Sequence, residues 1–161
     1  MKVRIYTDGA CSENPGPGGW GMVVNSETKC KTYGGHSKKT TNNKMELKAV
    51  IEAYRFILDH KGLDDIEILS DSAYVVNSIN QHWVLKWASN GWITTKGESV
   101  KNYHLWKQFL SLHSAVKQKG INVVLIKIKG HAGNTFNELA DKEAKRQSEI
   151  ARQKISEEET K

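Results

Sequence analysis

The sequence predicts an α/β fold: a five-stranded mixed sheet, three antiparallel strands then parallel ones, flanked by helices. Three observations carry this. Three β-like stretches, residues 3–7, 20–25 and 31–36, precede any helical pattern. Two further apolar runs, 66–70 and 123–128, alternate with helical segments, and strands delivered by helical crossovers pair in parallel. The chain has 161 residues, 38% of them hydrophobic and 26% charged, which suits one soluble globular unit with a sizeable core.

The elements follow in order. A short polar link, residues 26–29, joins the second and third stretches as a hairpin. Thr40, Thr41, Asn42 and Asn43 offer N-caps for a helix that runs to about Asp59 and is stopped by Gly62. The strand at 66–70 ends at Asp71, and 72–80 reads as a short helix. Residues 81–100 read as irregular and tryptophan-rich, and 102–119 as helical. After the strand at 123–128 comes a loop at 130–134, and a last helix starts near Phe136. The order β-β-β-α-β-α-α-β-α shows no repeat or linker. We expect a single domain over 1–148 and a charged tail over 149–161 that is either a helix extension or disordered.

The net charge of +6 is compatible with nucleic acid or an anionic membrane surface as partner. No apolar run is long enough to span a bilayer, so no membrane partner is expected. The first residues lead into a strand pattern without the apolar stretch of a secretory signal. Two cysteines, Cys11 and Cys30, suggest neither a disulfide framework nor a zinc cluster. The expectation is a cytoplasmic monomer.

Four acids stand in unusual places. On a helical wheel, Lys48, Glu52, Arg55 and Asp59 share a polar arc, with Val50, Ala53 and Ile57 opposite. Glu46 falls within that apolar arc, where a carboxylate is costly unless paired with a cation or metal. A first-turn Glu favoured by the helix dipole is the plainer account. Asp8 and Asp71 each end a predicted strand, a common ligand position in α/β sheets, though an N-capping Asp would also explain Asp71. Asp141 lies early in the last helix and reads equally as a solvated acid. Together, four carboxylates in a basic chain cannot all stay ionised without cations between them. Oxygen-only ligation suits Mg²⁺ or Mn²⁺, and a pair of such ions cleaves phosphodiesters. His131, in a loop between Gly130 and Gly133, is either a proton carrier or an ordinary surface histidine.

The strings "YTDGACSENPGPGGWG", "TTNNKMEL", "LSDSAYV", "GWITTKGESVKN", "KGHAGN" and "NELAD", in this order, resemble the bacterial type 1 ribonuclease H family over residues 1 to 148. The resemblance implies the ribonuclease H-like fold and a Mg²⁺-dependent endonuclease acting on the RNA strand of RNA–DNA hybrids. By motif, Asp8, Glu46, Asp71 and Asp141 match the family's metal-binding acids, and His131 its catalytic histidine. Gly9, Cys11 and Asn14 match contacts to the RNA minor groove. Thr41, Asn42 and Asn43 match the hybrid-gripping set, with helix capping as the simpler role. A wide minor groove displaying 2′-hydroxyls is what such small polar groups read.

Two departures stand out. Ala73 occupies a position where a glutamine contacts substrate in well-known members. The handle segment, 82–99, is poor in basic residues: Lys86, Lys96 and Lys101 remain in or beside it, with Ser89 and Asn90 where a basic pair is common. Trp83, Trp87 and Trp92 keep its aromatic frame. Trp83, Lys86, Trp87 and Lys101 are candidate substrate contacts, although tryptophans four apart also suit core packing, a role that fits Trp83 best. The rival reading keeps the fold and makes the chain a DNA-processing nuclease or integrase.

Overall fold

The computed structural model describes residues 2–130 and 134–160. Its elements are β1 (Lys2–Cys11), β2 (Gly16–Asn25), β3 (Cys30–Thr40), α1 (Asn42–Asp59), β4 (Asp65–Ser70), α2 (Ala73–Asn80), α3 (Trp83–Ser89), α4 (Tyr103–Gln118), β5 (Asn122–Lys127) and α5 (Thr135–Glu159). The sheet order is β3-β2-β1-β4-β5. β1–β2 and β2–β3 pair antiparallel, β1–β4 and β4–β5 parallel, as the pattern of strands and crossovers predicts.

β1 lies at the centre and alternates with period two. Val3 and Ile5 face the main core with Met22, Val24, Ile66 and Ile68. Tyr6 faces a second, smaller core with Val23, Leu69 and Ala140. In the main core Trp106, Tyr54 and Phe109 are fully buried, with Tyr54 and Trp106 both meeting Phe109 edge-on at 5.1 and 5.7 Å. Burying side chains of this kind stabilises by about 1.5–3 kcal/mol each.

Side-chain caps set several helix starts. Thr41 accepts from the N–H of Lys44, Ser72 from Val75, and Asn134 from Phe136 and Asn137. Each satisfies donors that a helix leaves orphaned. Asp71 is therefore not the cap of α2; Ser72 is.

The structure differs from the sequence reading in two places. Residues 83–89, read as irregular, form α3, with Val84 buried and Trp87 packed against the core. Its start is His82 in the left-handed region at φ 61° without a side-chain cap, so no capping signal marks it. The glycine-rich run is largely strand: β1 extends to Cys11, and β2 begins at Gly16. The charged end, expected as a helix extension or disordered, is helical to Glu159, with Ala151 buried and Lys38 of β3 paired to Glu158.

The glycines of β2 serve the approach of α5. A Cβ on Gly21 would stand 2.4 Å from the carbonyl oxygen of Ala140, and one on Gly19 2.5 Å from that of Ala144. Backbone atoms cannot yield as a flexible side chain does. Gly21→Ala is expected to destabilise the fold by about 1–3 kcal/mol. Thermal denaturation checks this: at roughly 2–4 °C per kcal/mol the fall is easily seen, and an unchanged Tm would contradict the packing.

Candidate metal centre and adjoining groove

Register assembles the acids. Thr7 of β1 pairs in parallel with Ser70 of β4, so the next residue on each chain, Asp8 and Asp71, emerge side by side. Asp8 lies three residues inside β1, not at its end as the sequence suggested, and pairs with Gly21. It follows Tyr6 by two, on the sheet face that α5 covers, and α5 brings Asp141. The neighbouring Gly9 lets α1 descend: a Cβ there would stand 2.4 Å from the backbone nitrogen of Glu46. Glu46 is thereby lowered beside Asp8.

Carboxylate oxygens of Asp8, Glu46 and Asp71 lie within 4.8 Å of one another. Asp141 lines the same cleft, of about 420 Å³, together with Gly9, Asn42, Asn43 and Ala73. Its carboxylate is paired with Lys145 at 2.9 Å, one turn along α5. The backbone of Gly130 passes close to Asp71, where a Cβ would stand 2.8 Å from Oδ2.

Asp8 and Glu46 are only 4% and 5% exposed. Burial drives the Asp8 carboxyl from its ordinary value up to about 7; the nearby Glu46 opposes this, and the charges of Asp71 and Asp141 add to the rise. Glu46 is pushed well above its ordinary value, first by burial and then by the charge of Asp8. Among the described residues, Glu46 Oε2 is a buried side-chain oxygen with no hydrogen-bond partner. An oxygen-only donor set, like-charge crowding and an orphaned carboxylate oxygen fit a divalent metal ion. The acidic trio can hold one.

The other predicted site residues fall into separate groups. Gly9, Asn42 and Asn43 reach the cleft, and Ala73 sits at its rim with only a methyl group to offer. Asn14 docks its side-chain oxygen on the N–H of Asn42 at 3.1 Å, tying the β1–β2 turn to the start of α1. Cys11 donates its S–H to the carbonyl of Glu13, and Thr41 caps α1. Trp83, expected to pack, is instead 38% exposed, whereas Trp87, whose role the sequence left open, packs near Trp106, rings 6.1 Å apart. Helical phase decides this, since Val84 and Trp87 share the inward face of α3. Lys86 is exposed on the same helix. His131 lies outside the described residues.

Lys101 belongs to a groove that the sequence did not reveal. The groove, of about 710 Å³, is lined by Lys39, Lys44, Lys48 and Lys101 with His36, Asn102 and Tyr103. Lys44 and Lys48 are four apart on α1, a spacing that placed Lys48 among solvated charges. Only the fold brings β3 and the start of α4 alongside it.

Fold and site together define an acid-cluster α/β protein of the ribonuclease H-like class, with its carboxylates gathered around the central strand. The RNase H family model matches residues 1–149, and the chain belongs to that family. A protein named Ribonuclease H from Caldicellulosiruptor saccharolyticus is 43% identical over 159 residues, 97% of each chain. Another of that name, from Acetivibrio thermocellus, is 46% identical over 141 residues, 88% of this chain and 90% of the relative. Among solved structures, LC9-RNase H1, a type 1 RNase H with the type 2 active-site motif, superposes with a TM-score of 0.75. It is 31% identical, covering 93% of this chain and 73% of that one.

The raised carboxyls make stability depend on pH. A carboxyl that titrates near 7 when folded and near 4 when unfolded holds its proton longer in the folded state, so stability falls as pH rises from about 4 to about 7. The metal-free protein should lose Tm across that window. Asp8→Asn should flatten the loss and melt higher than wild type at pH 8 in EDTA, while Mg²⁺ should raise the Tm of wild type more than that of the variant. A Tm difference constant from pH 5 to pH 8 would overturn this.

Proposed function

We propose that the protein is an endoribonuclease that hydrolyses the RNA strand of RNA–DNA hybrids, leaving 5′-phosphate and 3′-hydroxyl ends. Its cofactor is Mg²⁺, which Mn²⁺ can replace. The observation that carries this reading is the trio of buried Asp8 and Glu46 with half-buried Asp71, opening beside Asn42 and Asn43, in a chain of the RNase H family. We further propose a cytoplasmic monomer, a setting in which the free thiols of Cys11 and Cys30 persist.

Bound among Asp8, Glu46, Asp71 and Asp141, divalent ions supply activation of water and stabilisation of the leaving oxygen in phosphodiester hydrolysis. The chain's own residues do the rest. The three central carboxylates are placed by register and by close backbone approach, so little reorganisation is needed when a phosphate arrives. Asn42, at the start of α1, presents its amide to the hybrid where 2′-hydroxyls lie in a wide minor groove, together with Gly9, Cys11 and Asn14. The lysine-lined groove on the other side of α1 neutralises phosphates of the uncut strand. Thr41 and Asn43 form a pocket for a phosphate of the same uncut strand. To His131 we assign proton transfer.

A labelled RNA–DNA hybrid, with duplex RNA and duplex DNA alongside, tests the reading. Cleavage should be confined to the RNA of the hybrid, need Mg²⁺ and stop in EDTA; equal cutting of duplex DNA would instead support the DNA-processing alternative. Asp71→Asn removes a ligand charge with little change in volume, so cleavage should be lost while hybrid binding survives. His131→Ala should lower kcat by roughly 10²–10³-fold with little change in KM, the scale of a proton-transfer group. An undiminished kcat would remove His131 from the mechanism.

A further inference from the structure

One hydroxyl joins the acid cleft to the basic groove. Tyr74 lies in the first turn of α2, three residues after Asp71, and lines the cleft. Its oxygen accepts from Asn102 Nδ2 at 3.1 Å and from Trp106 Nε1 at 2.9 Å. Asn102 lines the groove beside Lys101. Trp106 is fully buried and meets the Tyr74 ring edge-on at 5.8 Å.

Two features mark the junction as built. Asn102 immediately precedes α4, where asparagine ordinarily caps, yet its side chain makes no cap hydrogen bond; the amide is committed to Tyr74 instead. Its backbone is held at φ 62°, in the left-handed region, which a non-glycine residue occupies at a cost. Meanwhile the Trp106 N–H would be a buried donor without the Tyr74 oxygen.

The surrounding geometry gives the junction a purpose. α1 is a ridge shared by both depressions: Asn42, Asn43 and Glu46 face the cleft, Lys44, Met45 and Lys48 the groove. The far wall of the groove is the segment 99–105. Tyr74 ties that wall back to the element that begins two residues after Asp71. We propose that Tyr74 is a positioning residue: through Asn102 and Trp106 it sets the spacing between groove and cleft, so that a duplex seated by one strand in the groove presents its other strand to the acids. This rests on the hybrid-cleaving reading above.

The test is a double-mutant cycle with Tyr74→Phe and Asn102→Gly, measured on cleavage of a hybrid longer than one helical turn. Each single variant should raise KM about fivefold, the scale of one net hydrogen bond, with kcat held within about twofold, since the acids themselves are untouched. The double variant should be no worse than the more impaired single, because both cut the same tie. Tyr74→Phe leaves Trp106 Nε1 unpaired and is expected to melt lower than wild type. Asn102→Gly keeps the Trp106–Tyr74 bond and relaxes the left-handed φ, so it should melt no lower than wild type and still show the raised KM. If Tyr74→Phe fails to fold, Asn102→Gly decides alone. An unchanged KM in Asn102→Gly, a loss confined to kcat, or effects that multiply in the double variant would overturn the proposal. Failure of wild type to cut the hybrid would overturn the underlying reading instead.

Discussion

Like charges held together against their repulsion are the constraint around which this molecule is arranged. Asp8 and Glu46 are nearly dry, and Asp71 stands beside them. No local sequence preference would bring them there. Three independent long-range contacts do: the parallel register of β1 on β4, the seating of α1 on Gly9, and the docking of α5 across β2. Each is supported by apolar burial elsewhere, chiefly the packing of α1 and α4 around Tyr54, Trp106 and Phe109. The core supplies the stability that the carboxylate cluster spends, an expected trade where a functional site is strained.

Much of this was legible in the sequence, and for identifiable reasons. β-like stretches and apolar runs marked all five strands, and Glu46 on an apolar arc announced a carboxylate in need of a partner. What escaped was non-local. The extension of β1 through Asp8 to Cys11 was hidden by glycines, which read as loop although they exist to let α1 and α5 come near. α3 was missed because it starts from a left-handed His82 and owes its existence to Val84 and Trp87 finding the core. The lysine-lined groove draws on β3, α1 and the start of α4, and no window of sequence contains it.

The glycine-rich run shows how one composition admits two physical readings. Glycine permits unusual turns, and it also permits contact. Here Gly9, Gly19 and Gly21 sit in extended backbone and act through the missing Cβ. At Gly9 the backbone that lines the acid cleft and the backbone that receives α1 are therefore the same. A change that refines one surface disturbs the other.

β3 is an edge strand whose partner lies on one side only. Its outer row of N–H and C=O groups is a template on which another chain can add a strand. Lys31, Lys38 and Lys39 along it, with α5 drawn across to the Lys38–Glu158 pair, make that row an unwelcoming one. The polar final turns of α5, far from the acids, thus act as a guard against aggregation, and the chain's basic character protects it from its own copies as well as drawing it to nucleic acid.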